Sequence, residues 1–513
     1  MHQCSVLLLI SGLWPLQAAG PSHLITRESL NPQLLDTEYA VRGAVLDKAD
    51  ALARKLKERP NDHGLPFNKI IPCNIGNPQA LGQKPITFNR QVLSLVTNPS
   101  LLEMVEASTG STLGGAFQPD AVRRARTYLN AVPEGVGAYS NSQGIEVVRE
   151  EVAAFISRRD GYPTSAQNIF LTDGASAGVR MLYMAMIRPG KADGVLVPIP
   201  QYPLYSALST LLGGRLVGYY LNEESNWKVT VQELERAVTK ARGEGTTVRA
   251  LVIINPGNPT GQCLDVSTMK DIVEFCIKEG LVLMADEVYQ ENVYAQGSKF
   301  TSFRKIALDM GTAASSLELV SYHTISKGFV GECGIRGGYF ELHNFDPEVK
   351  AELYKMASIT LCSNLPGQFS TGLMVNPPVP GNESYATYIA ERDGIISSLK
   401  RRAAKLGAAL NQMPGMSSTQ PEGAMYLFPR VHLPPGAVVA AKKANVPPDT
   451  FYCMEMLDAT GIVTVPGSGF KQKDGTYHFR TTFLPPEDAM DEVVSRMSAF
   501  QEAFMQKYAR ADL

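Results

Sequence analysis

The feature that most constrains the fold is a regular alternation of short apolar runs and helical segments between residues 168 and 342. Several of the apolar runs lack polar alternation, as strands buried on both faces do. The helical segments carry start and stop signals, a capping box at Thr230 and Glu233 and a bracketing pair at Asp265 and Gly280. This pattern predicts an α/β fold, a mostly parallel sheet with helices on both faces. The predicted strands are NIFLT, GVLVPIP, RLVGYYL, VRALVIIN, LVLMADEVY, LELVSYHT and IRGGYFEL.

A chain of 513 residues is too long for one hydrophobic core, so the sequence predicts more than one domain. After residue 376 a long helical pattern and three short apolar runs indicate a smaller α+β domain, in which the Pro-rich segment 432–449 is interpreted as a loop insertion. The predicted organisation is a poorly ordered extension (1–23), an N-terminal part of the small domain with an interface arm (24–128), a large cofactor-binding domain (129–375) and the C-terminal small domain (376–513).

The N-terminal residues do not by themselves identify the cellular compartment. An apolar run from Val6 to Trp14 precedes small residues at Ala18 to Gly20, as in a secretory signal, but the first basic residue is Arg27. We expect a cytoplasmic or mitochondrial location. The run is too short to span a bilayer, and no other segment is long enough, so no membrane association is expected.

Composition argues against several classes of protein. The chain has 48 Lys and Arg, 50 Asp and Glu, and a net charge of −2, and it has no basic stripe of the kind that binds nucleic acid. Seven cysteines without a CxxC pair and seven histidines without an HExxH pattern argue against a disulfide framework and a metal site. We therefore expect a globular protein that uses neither nucleic acid nor a metal.

Two predicted strand ends carry the sharpest chemical signals. Asp286 closes the apolar run LVLMAD, where a carboxylate is costly unless it is paired, and Tyr289 follows three residues later. Lys327 lies in a Ser-Lys-Gly turn, and Arg336 follows nine residues later between glycines. A helix cap or a salt bridge would explain the carboxylate, and a solvated loop would explain both cations.

Weaker signals lie at other predicted strand ends. Asn258 is in the turn NPGNPTG, and Ala175 and Ser176 follow a strand-Gly junction where free N–H groups bind phosphate readily. Tyr202 is flanked by prolines after GVLVPIP, and Arg480 lies in the alternating run YHFRTTF, where an inward arginine needs an anion. Each of these alone is also typical of an ordinary turn or core residue.

One ligand would employ all of these groups together, namely pyridoxal phosphate. Its aldehyde would bond to Lys327, and Asp286 would keep its ring nitrogen protonated so that the ring withdraws electrons. Asn258 and Tyr289 would hydrogen-bond its phenolic oxygen, and Tyr202 would stack on the ring. Its phosphate would be held by Ala175, Ser176 and Arg336. We therefore predict Lys327, Asp286 and Tyr289 as the catalytic residues.

The chain also resembles the fold type I pyridoxal phosphate aminotransferases, most closely the alanine aminotransferases. The resemblance covers almost all of the chain from about residue 25 to about residue 510. The runs that carry it are CNIGNPQALGQKPITF, GAYSNSQG, LTDGAS, PIPQYPLYSA, NPGNPTGQ, ADEVYQ, SKGFVGECGIRGGY, GSGF and HFRTTFLP. The resemblance implies that Arg480 binds the substrate α-carboxylate, that Gly76 lends its backbone, and that Thr324 contacts the phosphate. It also implies that Tyr139 reaches the phosphate of a neighbouring subunit, and hence a homodimer. Thr324 departs from the serine that is common at its position but keeps the hydroxyl.

The activity implied by the resemblance is the transfer of the amino group of L-alanine to 2-oxoglutarate, in two half-reactions. Glyoxylate is an alternative acceptor. Two further readings compete: a lyase or synthase on the same fold, as in the aminocyclopropane carboxylate synthases, and a non-catalytic member. The run GECGIRGGY argues against the synthase, and the presence of both Lys327 and Asp286 argues against a non-catalytic role.

Overall fold

The central element is a seven-stranded sheet. The computed structural model describes residues 23–39, 43–108, 115–295, 297 and 299–509, so nearly all of the predicted extension 1–23 lies outside the described residues. The strands are β1 (Ile71–Pro72), β2 (Ile169–Thr172), β3 (Asp193–Ile199), β4 (Arg215–Tyr220), β5 (Thr247–Ile254), β6 (Val282–Asp286), β7 (Leu319–Thr324), β8 (Gly338–His343), β9 (Met416–Ser417), β10 (Tyr426–Leu427), β11 (Arg430–Val431), β12 (Ile462–Val463), β13 (Val465–Pro466) and β14 (Phe479–Thr482).

Helices precede, connect and follow these strands. Two of the predicted caps are formed: the Thr230 side chain accepts from the Glu233 N–H, and Asp265 accepts from the Thr268 N–H. The helices are α1 (Pro32–Asp36), α2 (Ala44–Glu58), α3 (Thr87–Thr97), α4 (Pro99–Ala107), α5 (Pro119–Ala131), α6 (Glu146–Asp160), α7 (Ala175–Met186), α8 (Leu204–Leu211), α9 (Val231–Gly243), α10 (Val266–Glu279), α11 (Phe303–Asp309), α12 (Pro347–Ile359), α13 (Leu365–Val375), α14 (Tyr385–Leu410), α15 (Pro435–Lys443), α16 (Pro448–Thr460) and α17 (Met490–Lys507).

The large sheet has the strand order β2-β8-β7-β6-β5-β3-β4. The neighbours from β7 to β4 are parallel, and β8 alone runs antiparallel to both β7 and β2. Apolar residues of α9, α10 and α11 form a core on one face, and those of α7, α8 and α12 form a core on the other. The predicted fold class, a mostly parallel sheet covered by helices on both faces, is confirmed.

A second core lies outside the large sheet, where α2, α14, α16 and α17 pack around the short strands. It brings residues near the N-terminus, such as Ala49, against Leu406, Met456 and Val493 from the C-terminal part. The positions of the domain boundaries remain a prediction.

The interpretation of residues 432–449 as a loop insertion is wrong. The segment contains α15, whose first residue is Pro435, and the first two residues of α16. Proline is well tolerated in the first turn of a helix, because the N–H groups there have no intrahelical acceptor. Ala437 and Ala441 of α15 are buried, so the segment packs against the small core as a helix.

Several ionisable side chains are buried in and beside the large sheet. Arg304 pairs with Glu341 at 2.9 Å and with Asp160 at 3.4 Å. Glu287 accepts the Phe303 N–H at 2.8 Å through one carboxyl oxygen, and its other oxygen has no hydrogen-bond partner among the residues that the structure describes. Burial raises the pKa of Glu287 to about 8. The folded protein therefore holds a proton at Glu287 that the unfolded chain releases at lower pH.

This proton predicts how stability changes with pH. Because the folded-state pKa of Glu287 lies above its unfolded value, the carboxyl lowers stability progressively as pH rises from about 4.5 to about 8. Glu287→Gln keeps the acceptor for Phe303 and cannot ionise, so the variant should exceed the parent in thermal midpoint by more at pH 9 than at pH 6. One pKa unit corresponds to about 1.4 kcal/mol, and about two units separate pH 6 from the folded-state pKa, so the advantage of the variant should grow by about 2–3 kcal/mol between pH 6 and pH 9.

The matched control is Glu134→Gln, since Glu134 is exposed. It should change the thermal midpoint little, and equally at both pH values. An advantage of Glu287→Gln that is the same at pH 6 and pH 9 would contradict the assignment of the proton.

Candidate active site

The carboxyl ends of β2, β5, β6 and β7 meet at one cavity of about 220 Å³. Two larger cavities, of about 620 and 560 Å³, lie along the edge strand β4, and none of the predicted site residues lines them. The smaller cavity gathers all of the predicted residues except Tyr139, namely Gly76, Ala175, Ser176, Tyr202, Asn258, Asp286, Tyr289, Thr324, Lys327, Arg336 and Arg480. Tyr139 is 77% exposed and lies outside it.

Lys327 enters the cavity from the turn that follows β7, and its Nζ donates to the Gly76 carbonyl oxygen at 2.9 Å. A Cβ atom at Gly76 would lie 2.8 Å from that Nζ and 2.1 Å from the Tyr426 hydroxyl oxygen. Any side chain here would force the amine or the phenol to move, so glycine is the residue that lets both come this close. Gly76 therefore contributes an open backbone edge as well as a carbonyl.

Asp286 is the last residue of β6, and its side chain is buried. The Tyr205 hydroxyl donates to its Oδ2 at 2.5 Å, and the Val288 N–H donates to its Oδ1 at 3.5 Å. Burial raises the pKa of Asp286, while these hydrogen bonds and the charge of Lys327 act in the opposite direction. A cationic group in the cavity would therefore stabilise the ionised carboxylate.

Hydrogen bonds tie the phenol of Tyr289 to the two walls of the cavity. The Asn258 amide donates to its hydroxyl oxygen at 3.4 Å, and that hydroxyl lies 3.4 Å from the Tyr426 hydroxyl. Burial raises the pKa of Tyr289 well above its usual value. Burial also acts to raise the pKa of Tyr426, but the charges of Lys327 and Arg480 outweigh it, and the pKa of Tyr426 is lowered.

Arg480, in β14, is 1% exposed. Its guanidinium donates to Asn258 Oδ1 at 3.2 Å and to the Asn74 carbonyl, and it lies 4.3 Å from the ring centre of Tyr426. Its Nε has no hydrogen-bond partner in the described residues. A buried guanidinium without a carboxylate partner is costly, so it is arranged for an anion that enters the cavity.

The N-terminus of α7 forms another edge of the cavity. Gly174 precedes the helix with φ +79° and offers no side-chain cap to it. The Arg336 guanidinium lies against this glycine, since a Cβ there would meet its Nη2 at 2.4 Å, and it donates to the carbonyls of Asp173 and Cys333. A helix N-terminus beside an arginine is a site for an anion.

Thr324 lies close to this edge and is engaged locally. Its hydroxyl donates to the Gly337 carbonyl at 2.8 Å, and the Ser326 N–H donates to its oxygen at 3.3 Å. These bonds hold the turn that carries Lys327. A direct contact of Thr324 with a phosphate remains a prediction.

Several residues that line or support the cavity were not predicted. Tyr205 lies on α8, three residues after Tyr202, and this short spacing in the sequence offered a signal for it. Tyr426 lies in AMYLF, one of the short apolar runs that follow residue 376, and the sequence assigned that run no part in the site. Nothing near Tyr39 in the sequence distinguishes that residue. Ser326 and Cys333 also line the cavity, on either side of Lys327 in the chain.

Pyridoxal phosphate fits this arrangement on four features of the residues themselves. Lys327 presents a primary amine, and Asp286 is a buried carboxylate that a ring nitrogen bearing a proton would stabilise. The α7 N-terminus with Arg336 suits a phosphate, and the unpaired Nε of Arg480 suits a second anion. In the part of the chain that the structure describes, no group of His, Cys, Asp and Glu side chains is arranged to hold a metal, and no helix is both long and apolar enough to cross a membrane.

Comparisons with known proteins identify the family of the chain. Residues 105–497 match the family model for aminotransferase class I and II. The mitochondrial alanine aminotransferase 1 of Arabidopsis thaliana is 51% identical over 485 residues, which are 94% of this chain and 88% of that protein. The glutamate–glyoxylate aminotransferase 2 of the same plant is 50% identical over 483 residues, 94% of this chain and 97% of that protein.

The fold has close counterparts among solved structures. The alanine aminotransferase from Pyrococcus furiosus superposes with a TM-score of 0.69 at 24% identity, and the match covers 92% of this chain and 100% of that one. The predicted resemblance is confirmed by the family match and by the full-length identity. This chain belongs to the class I and II aminotransferases.

Proposed function

We propose that the chain transfers the amino group of L-alanine to 2-oxoglutarate, giving pyruvate and L-glutamate. The observation that carries the proposal is that the Lys327 amine and the guanidinium of Arg480 open into one cavity beside the buried carboxylate of Asp286. Enzymes of this family depend in general on pyridoxal phosphate. The alanine aminotransferase name of a relative at 51% identity supports the choice of substrate.

We assign pyridoxal phosphate as the cofactor of this chain. Lys327 would bond to its aldehyde, and Asp286 would face its ring nitrogen. Tyr202 would cover the ring, and Asn258 with Tyr289 would hydrogen-bond its phenolic oxygen. The phosphate contacts would come from Ala175, Ser176, Thr324 and Arg336.

The bound cofactor supplies an electron-withdrawing ring that makes the α-hydrogen of an attached amino acid acidic. The chain supplies the positioning and the proton transfer. Arg480 holds the α-carboxylate with two parallel N–H groups and so orients the α-carbon. Lys327 accepts the α-proton, and its short tether from a small-residue turn lets the amine move between positions. Asp286, oriented by Tyr205, keeps a positive charge at the ring nitrogen favourable.

The proposal includes a homodimer. Tyr139 is 77% exposed in a single chain, away from the cavity, although the resemblance assigns it a phosphate contact. A tyrosine exposed on one subunit can meet that assignment only at the site of another subunit.

Glyoxylate is a second candidate acceptor. A relative at 50% identity is named glutamate–glyoxylate aminotransferase, so identity alone does not separate the two oxo acids. Assays with 2-oxoglutarate and glyoxylate at equal concentration, with alanine or glutamate as donor, distinguish the two activities.

The proposed covalent site gives a direct test. Borohydride reduction followed by peptide mass spectrometry should find the cofactor adduct at Lys327, and single amino acids should convert the cofactor in a half-reaction monitored by absorbance. Lys327→Ala removes both the attachment point and the base, so pyruvate formation should fall by more than the roughly 10²–10⁴-fold that a general base contributes. The control is Lys191→Ala, since Lys191 is exposed and does not line the cavity. An adduct at another lysine would overturn the proposal.

Arg480→Lys tests the carboxylate site. Lysine keeps the charge but loses the planar two-pronged contact and the donation to Asn258. We expect kcat/KM for alanine to fall by an amount equivalent to about 2–5 kcal/mol of activation free energy, the scale for a broken buried charge pair. The matched control is Arg401→Lys, whose partner Glu487 is on the surface. If Arg480→Lys bound alanine as tightly as the parent, the assignment of Arg480 would be wrong.

A further inference from the structure

Two tyrosine hydroxyls meet at the border of the cavity. The Tyr39 hydroxyl lies 3.0 Å from the Tyr202 hydroxyl, and both residues line the cavity. Tyr39 follows α1, which packs against α8, and Tyr202 lies just before α8. The N-terminal segment thus places at the cavity a hydroxyl to which the proposed function assigns no contact with the cofactor.

The pair has one hydrogen to give. Two phenols that share a single hydrogen bond leave one O–H free to donate to a third group. Burial raises the pKa of Tyr202 well above its usual value, and Tyr39 adds to that effect, so Tyr202 remains protonated. The free O–H therefore suits an acceptor, and a carboxylate oxygen is the strongest acceptor that a substrate of this class carries.

The described cations that line the cavity are Lys327, Arg336 and Arg480. Under the proposed function each already has a partner, namely the cofactor aldehyde, the phosphate and the α-carboxylate. Tyr202 and Arg480 line the same cavity, and the positive charge of Arg480 acts to lower the pKa of Tyr202. The phenol pair therefore lies near the proposed α-carboxylate site. A second carboxylate on the same substrate would then reach neutral donors and no described cation.

A neutral subsite also suits a cavity that must accept alanine. An arginine aimed at a distal carboxylate would stay buried and unpaired when the substrate ends in a methyl group, which is costly. Two phenols can satisfy one another through their shared hydrogen bond when no carboxylate is present.

We propose that the Tyr39–Tyr202 pair is the subsite for the second carboxylate of five-carbon dicarboxylate substrates. The proposal rests on the proposed function, because that function assigns the three cations to other groups. Such a subsite would let one cavity accept both alanine and the dicarboxylates glutamate and 2-oxoglutarate.

Equilibrium binding to the holoenzyme tests the subsite without turnover. Glutarate and pentanoate have the same carbon number and differ in one terminal carboxylate, so the ratio of their dissociation constants, measured by calorimetry, isolates that group. Wild type should prefer glutarate, and Tyr39→Phe should reduce the preference by about 10-fold to 100-fold, the range for a hydrogen bond to a charged group. Tyr202→Phe should reduce it similarly. Tyr220→Phe, at a tyrosine outside this cavity, should leave the preference unchanged.

Kinetics provide a second measure. In Tyr39→Phe, kcat/KM for 2-oxoglutarate should fall at least ten-fold more than kcat/KM for alanine. An unchanged preference for glutarate in both variants would overturn the proposal. An equal weakening of glutarate and pentanoate binding would also overturn it, because that result indicates a loss of packing. So would a loss of the preference in Asn77→Ala alone, because that result would place the subsite at the Asn77 side chain. Failure of the proposed function would be seen separately, as the absence of an alanine half-reaction in wild type.

Discussion

The site depends on a buried carboxylate at the end of the central strand β6. Asp286 lies between layers of apolar side chains, and burial alone favours its neutral form. The Tyr205 hydroxyl, the Val288 N–H and the nearby charge of Lys327 oppose that tendency. The carboxylate is therefore held in a state that a cationic ring nitrogen would complete, and the neighbouring groups are arranged around that requirement.

Strand order explains how distant residues reach Asp286. β6 lies between β5 and β7, so the Asn258 turn after β5 and the Lys327 turn after β7 open on either side of it. The small core supplies the facing wall, with Gly76, Tyr426 and Arg480. Contacts also cross between the two cores away from the cavity, where His478 meets Glu223 at 2.9 Å. Two contacts therefore join the region around β14 to the large domain, one at Arg480 and one at His478.

Local sequence signals predicted much of this arrangement. Unbroken apolar runs predicted the buried strands such as β6, and the capping pairs at Thr230 and Asp265 predicted the starts of α9 and α10. The segment 432–449 was misjudged because its prolines were taken as breakers, although Pro435 begins a helix. Tyr39 and Tyr426 were missed because their positions depend on tertiary packing between distant parts of the chain. The antiparallel direction of β8 also has no local signature, since strand direction is set by the path of the connecting chain.

Gly76 has a consequence for attempts to redesign the enzyme. This close approach joins a backbone position, an amine and a phenol, so even one methyl group at position 76 would displace the lysine amine or the Tyr426 phenol. Directed evolution for bulkier amino donors should therefore keep glycine at position 76. Substitutions at other lining residues, such as Leu204 of α8, would leave this close approach unchanged.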